Sequence, residues 1–150
     1  MFTGLVRVER LQMSEVNDTM LRDVNQLLIT QRHDARPITQ EHLLKCMEKM
    51  GVVLAWNDNQ RVVGLGVLTL SGGLNFSCAE IRHLVVNDGR SNLAIGMRIV
   101  RALCDIYLHV VDYTDAGAWV QDEGMKKIFT ALGFKEKPGS RFRLRKGGRT

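Results

Sequence analysis

VVNDGRSNLAIGMRIV, residues Val85 to Val100, changes character twice within sixteen positions. An apolar, strand-like run gives way to Asn, Asp, Gly, Arg, Ser and Asn, and a helical pattern begins within a few residues. Such a strand, turn and helix makes an anion site. The first backbone N–H groups of a helix have no carbonyl partner, and the helix dipole adds partial positive charge there. Ala94 and Gly96 are small enough to let a phosphate approach, and Arg90 stands beside the turn with a charge of its own. The G-K-[ST] ending of a P-loop is missing, and so is G-x-G-x-x-G. Taken alone, the same residues also suit a plain bend between strand and helix.

Upstream, VRVERLQM (residues 6–13) reads as a first strand, and Ser14 can cap a helix carrying Met20, Val24, Leu27 and Leu28. Pro37 disfavours helix at Arg36. Thr39 can cap a second helix with Leu43, Leu44, Met47 and Met50 on one face. VVLAW and RVVGLGVLTL flank NDNQ, so residues 52–70 read as a β-hairpin. FSCAEIRHLVV (76–86) is the next strand. Alternation along it sets His83 on the opposite face from Glu80.

Downstream, Ile95, Ile99, Ala102, Leu103 and Ile106 form the buried stripe of a helix ending near Val110 or Val111. AGAWVQ is a short strand. Asp122 can cap a last helix through Met125, Ile128, Phe129 and Leu132, with Gly133 as its C′ residue. SRFRLRK is the final strand. The order β-α-α-β-β-β-α-β-α-β is that of an α/β (or α+β) domain with a mixed sheet.

The 150 residues suit a single domain, 1–150, which buries roughly 70% of the surface its unfolded chain exposes. No apolar run reaches the length of about 18 residues that a membrane span needs, and the first residues lack a signal-peptide core. Cys46, Cys78 and Cys104 are scattered and unpaired in sequence. That points to reduced thiols in a cytoplasmic protein and away from a zinc site or disulfide framework; no metal is expected. The net charge of +5 is uneven. Residues 135–150 hold seven Lys/Arg and one Glu, while the remainder is close to neutral. Such a basic end can recruit nucleic acid. Phe142 and Leu144 alternate there with Arg141, Arg143 and Arg145, however, which favours a half-buried edge strand.

The whole order resembles the GNAT superfamily, the acyl-CoA-dependent N-acetyltransferases. That family's turn, Q/R-x-x-G-x-G/A, falls on SNLAIG (Ser91–Gly96), and its L-Y-x-x-x-G-F helix falls on IFTALGF (Ile128–Phe134). Ser91 replaces the usual Gln or Arg, Ala94 a Gly, and Phe129 the Tyr that serves as general acid. Glu80 precedes Gly96 by sixteen residues, the spacing at which histone-type members place a basic carboxylate.

The resemblance implies acetyl-CoA as acyl donor and an amine of a small molecule or peptide as acceptor. Pantetheine would pair with the backbone around Leu84, Val85 and Val86, and the N–H of Val85 would face the carbonyl oxygen. The diphosphate would lie on the turn and the first helical residues: Arg90, Ser91, Asn92, Leu93, Ala94, Ile95, Gly96 and Met97. Phe129 would border the cofactor, although Phe129 and Phe134 also suit a core. Glu80 would take the amine's proton, or else simply pair with a Lys or Arg of a neighbouring strand. His33 and Asp34, between the first two helices, would border the acceptor. The oligomeric state stays open: dimers, including a homodimer of this chain, are common in the resembling family, and an edge strand at the C-terminus offers a route. Two other functions fit the sequence: a non-catalytic acyl-CoA-binding module, and a nucleic-acid-binding protein acting through the basic end.

Overall fold

A computed structural model describes residues 6–31, 36–49, 51–72, 77–87, 92–108, 115–119, 123–137 and 141–145. In chain order the elements are β1 (Arg7–Arg10), α1 (Asp18–Gln31), α2 (Gln40–Lys49), β2 (Gly51–Trp56), β3 (Val62–Gly72), β4 (Ser77–Val86), α3 (Asn92–Leu108), β5 (Asp115–Trp119), α4 (Glu123–Ala131), β6 (Lys135–Lys137) and β7 (Arg141–Arg145). The strands form one seven-stranded sheet in the order β1-β2-β3-β4-β5-β7-β6. All neighbours are antiparallel except β4 and β5. The mixed sheet and the order of its elements match the sequence reading, with one strand added.

Two local expectations change. The cap of α1 is Asn17, not Ser14: Asn17 Oδ1 accepts from the Met20 N–H at 2.8 Å. Ser14 lies instead in a single 3₁₀ turn, Met13–Glu15. The last strand is not an edge. β7 sits between β5 and β6, and the edge is the three-residue, fully charged β6. Phe142 is completely buried there, as the alternation required. Thr39 does cap α2, its hydroxyl accepting from the His42 N–H at 3.2 Å.

Helices cover both faces of the sheet. On one face, Met20, Val24 and Leu27 of α1 and Leu43 of α2 pack with Leu54, Leu65, Val67 and Val85. On the other, Ile95, Ile99, Val100 and Leu103 of α3 join Ile128 and Phe129 of α4 over Val53, Leu68 and Ile81. The two glycines of VVGLGVL explain how α3 comes so near. A Cβ on Gly66 would stand 2.5 Å from Ile99 Cγ2, and one on Gly64 2.8 Å from Ile99 Cδ1.

IFTALGF is a helix stop. Gly133 adopts φ 94°, the Phe134 N–H donates to the Phe129 carbonyl at 3.0 Å, and the Gly133 N–H donates to Thr130 at 3.1 Å. This double bond pattern is a Schellman motif, closed by the apolar contact such motifs favour. The Phe129 and Phe134 rings meet edge to face at 4.9 Å.

Asp23 is the buried charge of the α1 face, 7% exposed. Its carboxylate accepts from Arg61 Nε at 2.9 Å and from the Val62 N–H at 3.1 Å, tying α1 to the start of β3. The Arg61 hydrogen bond holds the Asp23 carboxyl below its ordinary value. A carboxylate whose pKa falls on folding stabilises the native state at neutral pH, and that stability disappears as pH drops through its folded pKa. Asp23→Ala removes these bonds and leaves the Val62 amide unpaired, at an expected cost of about 2–3 kcal/mol at pH 7. Thermal melts should show the gap between variant and wild type closing as pH falls below the ordinary aspartate range. A gap that stays constant down to acid pH would rule this reading out.

Candidate functional site

β4 and β5 run parallel from Cys78↔Asp115 to Ile81↔Ala118, and the ladder ends there. β4 continues to Val86, still paired with β3, while Trp119 of β5 pairs only with Arg141 of β7 among the described partners. β4, the central strand of the sheet, therefore runs on beyond its described pairing with β5. α3 begins six residues after Val86, at Asn92. A parallel sheet commonly binds ligands where its strand ends part and a helix N-terminus points in.

β4 also carries a bulge. The register passes from Leu65↔Val85 to Val67↔Arg82, so His83 and Leu84 together face the single residue Gly66. His83 takes φ 57°, in the left-handed region. Such an extra residue kinks a strand and reverses its faces. Glu80 and Arg82 share the α1/α2 face with Val67, and so does Val85, whereas Leu84 and Val86 pack against the α3 core. In a regular strand Leu84 and Val86 would have shared the face of Glu80. The simple alternation expected for His83 is thus broken at that residue.

Glu80 is partly buried, its side chain 12% exposed. Arg82 donates to its Oε2 from Nε at 3.1 Å and from Nη2 at 2.6 Å. The partner of Glu80 is therefore an arginine of its own strand, not of a neighbouring one. Sequence reasoning passed over Arg82, although residues two apart on a strand share a face. It also passed over Asn25, whose side chain accepts from the Ile38 N–H at 2.7 Å and donates to the Ile38 carbonyl at 3.1 Å. That clamp anchors the start of α2 to α1. His33 and Asp34, which the clamp brackets, lie outside the described residues, as do Arg90 and Ser91.

At α3 the helix starts at Asn92, so the amides without an intrahelical acceptor belong to its first turn, around Asn92, Leu93 and Ala94. Leu93 and Ala94 are exposed, while Ile95 and Gly96 are buried and Met97 is half-buried. Ala94 and Gly96 are the small residues here, while Leu93 turns a large apolar side chain outward. Phe129 is different. It is 1% exposed, with Phe134 and Phe142 against its ring. It is a core residue, as the sequence also allowed.

Cys104 of α3 is a half-buried thiol that burial pushes up to about 12, so it is no nucleophile at neutral pH. Among the described residues no cluster of three or more His, Cys, Asp or Glu is placed to hold a metal. No described helix is long and apolar enough to cross a membrane.

The architecture has clear counterparts among solved structures. An acetyltransferase of the GNAT family from Staphylococcus aureus superposes with a TM-score of 0.68 at 14% identity, covering 94% of this chain and 99% of its own. The chain has the GNAT fold. Arabidopsis thaliana NAA60 in complex with a bisubstrate analogue matches with a TM-score of 0.69 at 9% identity, over 97% of this chain and 100% of that one. The aminoglycoside 6'-N-acetyltransferase from Enterococcus faecium matches with a TM-score of 0.65 at 13% identity, over 93% and 96%. No protein-family model and no curated sequence matches the chain.

Proposed function

We propose that the protein is an N-acetyltransferase that moves an acetyl group from acetyl-CoA to a primary amine of a small molecule or peptide. The observation that carries this reading is that β4 runs on five residues beyond its described pairing with β5, toward the start of α3, within a GNAT fold. Acetyl-CoA supplies an electrophilic thioester carbonyl. The backbone of Leu84, Val85 and Val86 receives the pantetheine arm as an added strand. The N–H of Val85 itself points toward β3, on the same side as that of Asn87, which donates to the Val63 carbonyl at 2.8 Å. The first-turn amides at Asn92, Leu93 and Ala94, with Arg90 and Ser91 beside them, hold the diphosphate. Ile95, Gly96 and Met97 shape the wall behind it. His33 and Asp34 border the acceptor.

Glu80 is the base of this reading. Its Oε1 has no protein donor among the described residues, while Oε2 is tied to Arg82. The amine nitrogen forms the new C–N bond as the C–S bond breaks, and its electron pair leaves on sulfur. The proton that nitrogen loses balances the one the thiolate gains. A dedicated acid is dispensable, because an alkyl thiol leaves with a pKa of about 8.5. A core phenylalanine at Phe129 is compatible with that.

A non-catalytic acyl-CoA-binding module is the second reading. It is favoured by the ion pair that occupies Glu80 and by the missing hydroxyl at Phe129. Thiol release from acetyl-CoA, followed with a panel of amines and peptides, separates the two. The transferase reading expects acceptor-dependent thiol release with a matched acetylated product. Binding of acetyl-CoA without acceptor-dependent release would select the module instead.

A further inference from the structure

We propose that the acceptor is a zwitterion, an amine with a carboxylate close to it as in a free amino acid, recognised by Glu80 and Arg82 together. The inference rests on the transferase reading and deepens it. Both side chains project from one face of β4, and they straddle Ile81, the last residue that β4 shares with β5.

Arg82 spends two N–H groups on a single oxygen, Oε2 of Glu80. A guanidinium has five N–H donors in a fixed planar fork, so three remain. Among the described residues no protein acceptor meets them, and no donor meets Glu80 Oε1. Burial divides the pair: Glu80 is sunk to 12% exposure, whereas Arg82 stands out at 54%. The result is an anchored carboxylate oxygen beside an outward guanidinium edge.

The charges then select the ligand. An amine reaches the site as an ammonium, and a simple ammonium approaching Oε1 also approaches a guanidinium that already neutralises Glu80. An acceptor that brings its own carboxylate cancels that repulsion. Its carboxylate takes the open N–H donors of Arg82 in the planar geometry arginine prefers, and its ammonium donates to Oε1. The pull of the new carboxylate on Arg82 also loosens the hold on Oε2, leaving Glu80 freer to accept a proton. Overall, an ammonium and a thioester become an amide, a thiol and one proton released to solvent. Glu80 passes on the proton that makes the nitrogen nucleophilic, and the second nitrogen proton balances the thiolate.

The test compares the common amino acids with their C-terminal amides, which keep the amine and lose the carboxylate. With the wild-type protein and acetyl-CoA, thiol release should favour the preferred amino acid over its amide by on the order of 10²-fold in kcat/KM. Arg82→Gln should raise KM for the amino acid and collapse that preference, and Arg82→Lys should restore it only in part. The same pairs titrated into the CoA-bound protein read recognition without turnover. Equal turnover of amino acid and amide overturns the zwitterion proposal and leaves the transferase reading standing. Arg82-dependent binding of an amino acid without thiol release supports the recognition and overturns the transferase reading. Neither binding nor turnover of any amino acid overturns the proposal outright.

Discussion

Gly66→Val should be the most damaging single substitution in the sheet. A Cβ there would lie 2.5 Å from Ile99 Cγ2 and 2.9 Å from Leu103 Cδ1, and both partners belong to the fully buried stripe of α3. Contacts that short force one element to move, and valine adds two further methyl groups. Overpacking a core typically costs about 1–3 kcal/mol. With a whole helix displaced, the upper end of that range or beyond is expected. For a chain of this size, about 3 kcal/mol lowers Tm by roughly 6–12 °C. Ile99→Ala in the same chain opens the space, so the double variant should be less unstable than the sum of the two single changes. Because α3 also carries the proposed diphosphate amides, Gly66→Val should weaken acetyl-CoA binding as well. An unchanged melting temperature would show that α3 does not rest on β3 as described.

The largest effect on rate is expected from Glu80→Gln. The variant keeps the shape of the side chain and a weaker hydrogen bond to Arg82, but it cannot take a proton. General-base assistance is worth about 10²- to 10⁴-fold, so kcat should fall by at least the lower figure. The side chain projects from the α1/α2 face, whereas the proposed diphosphate amides begin at α3, so the dissociation constant of acetyl-CoA should stay within about twofold. A kcat close to that of the wild type would assign Glu80 to an ion pair alone.

What the sequence made legible follows from how local each signal is. The strand, turn and helix around Val85 to Val100 could be read because strand and helix periods differ and the turn residues stand between them. Thr39, Gly133 and the NDNQ hairpin are also local devices, and each does what its chemistry suggests. In the hairpin, Asn57 Oδ1 accepts from the Asn59 and Arg61 amides at 2.9 and 3.0 Å. Ser14 misled because two residues able to cap a helix stand three positions apart, and only packing of Met20 and Val24 decides between Ser14 and Asn17.

Other features depend on partners far along the chain. Alternation of Phe142 with arginines says that one face is buried, but not how many strands flank it. β6 went unseen because Lys135, Glu136 and Lys137 carry no apolar period at all. The bulge at His83 was hidden for a further reason. Nothing in a histidine announces φ 57°, yet that one residue exchanges the faces of Leu84, Val85 and Val86. Arg82 was within reach, since its spacing from Glu80 already put the two on one face. The candidate site is thus partly local in sequence, at the helix mouth, and partly a product of sheet register.

The most direct measurement is calorimetric titration of the protein with acetyl-CoA, with thermal melting alongside. The account predicts one site per chain. At about 100 times the dissociation constant the ligand should add roughly 2.7 kcal/mol and raise Tm by about 5–10 °C. No heat and no shift at millimolar acetyl-CoA would contradict it, leaving a GNAT fold whose helix mouth serves some other ligand.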